Sequence, residues 1–131
     1  MGNKEYQKCF VCGKENPIGL KVDFTLDESG NAQAKLIIAS DYEGYPGVVH
    51  GGIISTLLDE AMAKAVFALG KAAFTANMSL KYRRQLPSDT PVILEGKIVQ
   101  DRGRMIKTQA TISDEDGIFA EAEALFVLPR K

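Results

Sequence analysis

The sequence has no apolar run long enough to cross a membrane and no large excess of charge of either sign. A membrane-spanning helix needs about 18 apolar residues in a row, but Asp59, Glu60 and Lys64 interrupt the most apolar stretch. The N-terminus has no apolar signal-peptide core, so we expect a cytoplasmic protein. The formal net charge of −1 gives no broad basic face for nucleic acid or a membrane surface. A small-molecule partner is expected instead.

Soft metal ligands are also scarce. Cys9 and Cys12 form a lone C-x-x-C pair, and His50 is the only histidine. A closed tetrahedral zinc site needs four ligands, so a carboxylate would have to complete it. A redox role would require a βαβ context that the sequence lacks. We therefore interpret the cysteines as reduced, partly buried thiols in an N-terminal segment, residues 1–19, and expect no metal and no cofactor.

Strand-like alternation dominates the rest of the chain. Its 131 residues and 45% hydrophobic content fit one domain over residues 1–131. Apolar and polar residues alternate in six segments bounded by Gly, Pro and Asp, which predicts six strands with one buried face each. The predicted strands are residues 20–26, 32–38, 74–82, 92–99, 105–112 and 118–128.

One long helix, predicted over residues 51–69 and ending before Gly70, separates the second strand from the third. Consecutive strands without crossover helices exclude a doubly wound parallel sheet, so the sheet must be largely antiparallel. The helix is apolar nearly all round, which is typical of an enclosed helix. The sequence therefore predicts an α+β fold in which a curved six-stranded antiparallel sheet wraps around one central helix.

The entrance to this helix, residues 47–52 (GVVHGG), is the best candidate for a reaction centre. The first turn of a helix leaves backbone N–H groups free and carries the positive end of the dipole, so it can hold an oxyanion. Glycine lets a ligand approach these groups closely. Two turns further on, Asp59 lies in an apolar stretch, where a carboxylate is costly unless it has a function. An anion hole with a carboxylate suggests acyl chemistry.

The GVVHGG motif, Asp59 nine positions after His50, and the strand FTANMSLKY at residues 74–82 resemble the hotdog-fold acyl-CoA thioesterases, most closely the phenylacetate-degradation type. The similarity covers residues 9–128. It implies hydrolysis of an acyl-CoA thioester to a free acid and coenzyme A, without a metal or redox cofactor. Some relatives carry an asparagine six residues before the histidine, where this chain has Gly44.

The resemblance also implies a role for each motif residue. The backbone N–H of Gly51 polarises the thioester carbonyl, and Gly52 completes the tight start of the helix. Asp59 acts as a general base on water or as a nucleophile, and a hydroxyl at Thr75 helps to hold the water. His50 is expected to brace the loop rather than to transfer a proton.

The spacing of the two main groups predicts an oligomer. Gly51 and Asp59 are eight residues apart, which separates their backbones by about 12 Å along a helix. One small carbonyl is not easily served by both groups of the same chain. Two antiparallel helices about a two-fold axis would place Gly51 of one chain opposite Asp59 of the other. We therefore predict an obligate homodimer with two composite sites, which is able to pair further into a tetramer.

The remaining assignments concern the surroundings of the site. Alternation places Thr75 on the polar side of its strand, from which it reaches the site only if strands meet across a dimer. Glu60 is expected to face solvent or a subunit contact. Apolar residues near the helix entrance are predicted to line the acyl pocket, and basic residues to bind the phosphates of coenzyme A. The two sets are Tyr42, Tyr45, Ile54 and Leu58 for the pocket, and Lys81, Arg83, Arg84, Arg102 and Arg104 for the phosphates.

Two other functions stay open at this point. A hotdog hydratase or dehydratase would act on an enoyl or β-hydroxyacyl thioester and would pair a histidine with an acid as proton shuttles. A non-catalytic acyl-CoA-binding protein would use the same pocket without turnover. The length and the aromatic or aliphatic character of the acyl group are not specified by the lining residues.

Overall fold

The computed structural model describes residues 7–130. Within these residues one helix, α1 (Gly51–Phe67), follows two strands and precedes four. The strands are β1 (Thr25–Leu26), β2 (Ala32–Ile37), β3 (Phe74–Tyr82), β4 (Pro91–Asp101), β5 (Met105–Asp114) and β6 (Gly117–Val127), and a 3₁₀ turn lies at Ser40–Tyr42. The strands pair antiparallel in one sheet of order β1-β2-β4-β5-β6-β3. The predicted architecture, a six-stranded antiparallel sheet around one helix, is confirmed.

Apolar and polar residues alternate along the central strands, and the apolar residues form the sheet face that packs against α1. Leu94 on β4 and Ile106 on β5 are fully buried, as are Leu57 and Met62 on the helix. Burying a side chain of this size stabilises the fold by about 1.5–3 kcal/mol relative to leaving it in water. The helix is therefore held as an interior element, which explains why its sequence is apolar on nearly every side.

β4 comes very close to the helix at Gly96, where no side chain fits. A Cβ atom on Gly96 would lie 2.2 Å from the Ala61 carbonyl oxygen and 2.8 Å from the Met62 nitrogen. Both are helix backbone atoms, so a methyl group would force strand and helix apart. We expect Gly96→Ala to lower the free energy of unfolding by about 3 kcal/mol.

Urea unfolding measures this loss. Lys97→Ala, on the exposed neighbour of Gly96, is the control and should change the free energy of unfolding by no more than about 0.5 kcal/mol. An unchanged unfolding midpoint for Gly96→Ala would contradict the close approach of β4 to α1.

The strand predicted over residues 20–26 is wrong for most of its length, since β1 contains only the last two of these residues. The N–H groups of Leu20 and Val22 donate to backbone carbonyls of the N-terminal segment instead of to a sheet neighbour. Lys21, between them, has a φ of 53°, which is incompatible with extended backbone. The alternating apolar residues here dock the N-terminal segment onto the core rather than build a strand.

The helix ends at Phe67, two residues before the predicted end at residue 69. Ala68 is the C-cap, and its N–H donates to the Lys64 carbonyl at 3.0 Å. Gly70 has a φ of 77°, the left-handed conformation that glycine adopts without strain. Gly70 therefore lies in the turn after the helix, two residues beyond the C-cap, and not immediately after the last helical residue. Among residues 7–130, no helix is long and apolar enough to span a membrane.

Candidate active site

The start of α1 leaves one backbone donor free. His50 is the N-cap, and its Nδ1 accepts a hydrogen bond from the Gly52 N–H at 2.9 Å. The His50 carbonyl accepts from the N–H groups of Ile53 and Ile54 at 3.0 and 3.2 Å. Among residues 7–130, no acceptor receives the Gly51 N–H. This N–H is therefore available to a negatively charged ligand atom at the positive end of the helix.

Backbone hydrogen bonds fix the loop that leads into the helix. The Val49 N–H donates to the Leu86 carbonyl at 2.8 Å, and the His50 N–H donates to the Tyr42 carbonyl at 2.9 Å. The imidazole of His50 lies against Gly44, where a Cβ atom would be 3.4 Å from His50 Cδ2. His50 thus braces the entrance, as expected of a structural histidine.

Asp59 and Thr75 meet within one chain. Asp59 lies in the middle of α1, and Thr75 is the second residue of β3. Thr75 Oγ1 donates a hydrogen bond to Asp59 Oδ1 at 2.6 Å, and both residues are half-buried. The hydroxyl fixes the orientation of the carboxylate and leaves its second oxygen to accept a proton. The pair therefore has the geometry of an oriented base.

The side of the strand predicted for Thr75 is wrong. Strict alternation puts Thr75 on the polar face, but a β-bulge shifts the register between Thr75 and Asn77. The extra residue, Ala76, reverses the phase of the strand, so Thr75 is half-buried like Met78. Phe74, predicted on the apolar side, is 53% exposed. Contact between Thr75 and Asp59 therefore needs no partner chain.

Tyr82 is a site residue that the sequence pattern does not reveal. Its hydroxyl donates to the Gly51 carbonyl oxygen at 2.9 Å, and its ring lies 3.7 Å from the position that a Cβ atom on Gly51 would take. Tyr82 ends β3, and Thr75 lies near the start of the same strand. β3 therefore runs past both functional parts of the helix, a relation that no short spacing in the sequence encodes.

The two arginines that follow β3 are held by acidic partners. Arg83 donates to both carboxylate oxygens of Glu121 at 3.1 and 3.2 Å, and this hydrogen bond lowers the pKa of Glu121 below its ordinary value. Arg84 pairs with Asp114, and its guanidinium carbon lies 3.7 Å from the centre of the Phe119 ring. Phosphate binding by Arg83 and Arg84 stays a prediction.

The residues predicted to line an acyl pocket do not share one environment. Ile54 and Leu58 are 4% and 0% exposed, because their side chains pack in the core. Tyr42 is half-buried and Tyr45 is 79% exposed. Tyr42 packs against the hydrophobic core that contains Ile54 and Leu58, whereas Tyr45 lies outside it. The assignment of these residues to an acyl pocket also stays a prediction.

A second polar cluster surrounds Glu60, one residue after Asp59. Cys9 Sγ and Lys64 Nζ each lie 3.5 Å from Glu60 Oε2. Lys64 Nζ also donates to Cys12 Sγ at 3.0 Å. The Glu60 side chain is only 18% exposed, so the prediction that it faces solvent is wrong, and its place at a subunit contact stays a prediction. The N-terminal segment, which carries both cysteines, covers it.

Burial and the contacts within the cluster together set its protonation. Burial raises the pKa of the Cys12 thiol to about 11, although the hydrogen bond from Lys64 acts in the opposite direction. Burial alone would lower the pKa of Lys64, but the hydrogen bond to Cys12 and the charge of Glu60 raise it above its ordinary value of 10.5. At neutral pH Cys12 is therefore a thiol and Lys64 an ammonium ion.

Relatives with known names share the region that carries the site. A family model described as the thioesterase superfamily matches residues 46–120, which include the helix entrance, Asp59, Thr75 and Tyr82. Acyl-coenzyme A thioesterase THEM4 of Mus musculus is 33% identical over 87 residues, which are 65% of this chain and 37% of that protein. The chain thus spans little more than a third of the length of this relative.

Solved structures have the same architecture. Protein RHA08564, a thioesterase superfamily protein, superimposes with a TM-score of 0.87 and 34% identity over 92% of this chain and 60% of that one. A Streptococcus mutans protein bound to acetyl-CoA superimposes with a TM-score of 0.77 over 84% of this chain and 90% of that one. At 22% identity, the second likeness concerns the fold alone. Because the family model covers more than half of the chain and the whole candidate site, and because the fold agrees, this chain belongs to the thioesterase superfamily.

Proposed function

We propose that this protein hydrolyses acyl-CoA thioesters to a free acid and coenzyme A. The observation that carries the proposal is that one helix bears both a free N–H at Gly51 and an oriented carboxylate at Asp59. Thioester hydrolysis needs these two groups, since the carbonyl oxygen becomes an oxyanion and the attacking water must lose a proton. The family membership of the chain agrees with this chemistry.

The proposed reaction assigns one task to each group. Asp59 takes a proton from water while the water oxygen bonds to the thioester carbon, and Thr75 holds the carboxylate in place. The Gly51 N–H stabilises the oxyanion of the tetrahedral intermediate, a contribution of about 3–4 kcal/mol for one such donor. The intermediate then releases the acid by breaking the C–S bond, and the coenzyme A thiolate takes up the proton that Asp59 removed from water. No metal or redox cofactor takes part in these steps.

Two side chains hold the oxyanion donor in position. The peptide group between Gly51 and Gly52 donates its N–H to His50 Nδ1, and its carbonyl accepts from the Tyr82 hydroxyl. The peptide group between His50 and Gly51 has its carbonyl fixed by the first turn of the helix. The Gly51 N–H is therefore preorganised, which is the condition for strong stabilisation of a developing charge.

The complete site is proposed to lie between two copies of the chain. Gly51 and Asp59 are separated by about 12 Å along α1, too far for one small carbonyl. Among residues 7–130, β3 is an edge strand whose one neighbour is β6, and an unpaired edge favours association with another chain. Phe74 and Tyr82 on this strand are 53% and 55% exposed, which adds apolar surface to the edge. A two-fold axis beside β3 would bring Gly51 of one copy to Asp59 of the other, with pairing into tetramers as a further step.

Release of free thiol from a panel of short, medium, long and aryl acyl-CoA esters tests the proposed function. Hydrolysis predicts release with at least one of these substrates at a rate proportional to enzyme concentration. Binding of acyl-CoA without any thiol release would contradict hydrolysis and favour an acyl-CoA-binding protein. The same panel identifies the acyl group that the enzyme prefers.

Replacement of His50 by alanine separates hydrolysis from a hydratase reaction. Because His50 caps the helix through Nδ1, we expect His50→Ala to lower the free energy of unfolding by about 1 kcal/mol and to leave measurable thioester hydrolysis. Thermal unfolding and thiol release measure the two effects. A hydratase releases no thiol, so it would be recognised by hydration of an enoyl-CoA that is lost in a folded His50→Ala variant, because there the histidine transfers a proton.

A further inference from the structure

We propose that Cys9, Cys12 and Glu60 bind a zinc ion that fastens the N-terminal segment to α1. The proposal is independent of thioester hydrolysis, since none of the three residues belongs to the oxyanion donor or the base. It concerns a site whose third ligand comes from a distant part of the sequence, 48 residues after Cys12.

The three donor atoms converge in space. The sulfur atoms of Cys9 and Cys12 and a carboxylate oxygen of Glu60 all lie within 4.8 Å of one another, and Cys9 Sγ lies 3.5 Å from Glu60 Oε2. In a tetrahedral zinc site with bonds of about 2.0–2.3 Å, neighbouring ligand atoms are about 3.3–3.8 Å apart. Small side-chain movements therefore bring all three atoms to bonding distance of one ion, and thiolate and carboxylate are both common zinc ligands.

The backbone around the ligands is fixed before any metal binds. The Gly13 N–H donates to the Cys9 carbonyl at 2.9 Å, which closes the turn that holds both cysteines. A Cβ atom on Gly13 would lie 2.3 Å from the Gln7 carbonyl oxygen, so this turn is too tight for any other residue. Glu60 projects from the middle of α1, a rigid element. Two cysteines from one turn and an acid from the helix therefore allow a bound ion to connect that turn to α1.

Lys64 completes the charge balance of the proposed site. Two thiolates and a carboxylate carry three negative charges, which one zinc ion and one ammonium ion neutralise. Lys64 Nζ lies 3.0 Å from Cys12 Sγ and 3.5 Å from Glu60 Oε2, the position of a donor to metal-bound ligands. Lys64 is 8% exposed, and a neutral site is far less costly at such a depth than a charged one.

A fourth ligand position is open to a small molecule. A cavity of about 160 Å³ adjoins the cluster and is lined in part by Cys9, Glu60 and Lys64. Each cysteine releases its proton to solvent when the ion binds, so no oxidant or reductant is required. The bound ion links a segment built of turns to the helix, and it stabilises the folded chain by a free energy that grows with the logarithm of its affinity.

Cobalt substitution tests the proposal directly. Metal-stripped, reduced protein is titrated with Co²⁺, and we expect one ion per chain with sulfur-to-cobalt charge-transfer bands and the intense visible bands of a tetrahedral site. Zinc should displace the cobalt and raise the melting temperature. Cys9→Ser should lose the charge-transfer bands at stoichiometric cobalt, and Glu60→Gln should weaken binding at least about tenfold. Glu115→Gln, at an exposed acid in a turn, is the matched control and should bind like the wild type.

Lys64→Met tests whether Lys64 acts as a hydrogen-bond donor to the metal ligands or only balances charge inside the fold. We expect this variant to keep the tetrahedral cobalt spectrum with affinity lowered about 10–100-fold. Absence of charge-transfer bands in the wild type would overturn the proposal, as would an unchanged spectrum in Cys9→Ser. Because the wild-type titration and its melting temperature decide the question by themselves, the test does not depend on the folding of any variant.

Discussion

Asp59→Asn should lower turnover of the preferred acyl-CoA by at least about 100-fold. The asparagine amide has nearly the shape of the carboxylate and still accepts the hydrogen bond from Thr75 Oγ1, which is 2.6 Å from Asp59 Oδ1 in the wild type. What it loses is the ability to take a proton from water. The rate constant kcat, measured by thiol release, should therefore fall while the melting temperature stays close to that of the wild type.

The control for this substitution is Glu115→Gln, which removes the charge of an exposed acid in the turn between β5 and β6. It should leave kcat unchanged, since it lies in none of the proposed machinery. Asp59→Asn with kcat within a factor of about three of the wild type would show that Asp59 does not activate water in the proposed way.

Gly51→Pro should lower kcat by about 10²–10³-fold, because proline has no N–H with which to hold the oxyanion. The substitution suits the local backbone. Residue 51 is the first residue of α1, a position where proline is favoured. His50 before it has a ψ of 134°, in the extended region that a residue before proline adopts. The loss should therefore appear in the reaction and not in the folding of the chain.

Gly51→Ala is the matched control for this prediction. A Cβ atom at residue 51 would lie 3.6 Å from the Tyr82 hydroxyl oxygen, an ordinary contact, and alanine keeps the N–H. We expect Gly51→Ala to lose much less activity than Gly51→Pro. Equal losses in the two variants would mean that the space beside Tyr82 matters and that the N–H does not.

The sequence was sufficient for the parts of the fold that local patterns encode. Alternation identified β2 to β6, and the apolar run after residue 50 identified α1, because burial of one face imposes a period of two on a strand and an all-apolar surface on an enclosed helix. The free N–H at Gly51 follows from its place in the first helical turn, which is also a local property.

Apart from the helix end, the differences share one physical cause, which is contact between distant segments. The bulge at Ala76 reverses the side on which Thr75 lies, and no glycine or proline marks it. The positive φ of Lys21 depends on docking of the N-terminal segment. The partners of Glu60 come from that same segment, and the contact of Tyr82 with Gly51 joins a strand end to a helix start. Patterns over a few neighbouring residues cannot predict such contacts.

Mixing of two inactive variants tests the central claim, that each site takes its oxyanion donor from one chain and its base from the other. Gly51→Pro and Asp59→Asn are co-expressed and compared with each variant alone. When equal amounts of the two variants pair at random, half of the dimers are mixed. If the site is composite, each mixed dimer has one intact site and one site that lacks both the oxyanion donor and the base. A composite site therefore predicts recovery of about a quarter of wild-type activity. Activity that remains at the level of the separate variants would contradict it, because a site contained within one chain gains nothing from such a partner.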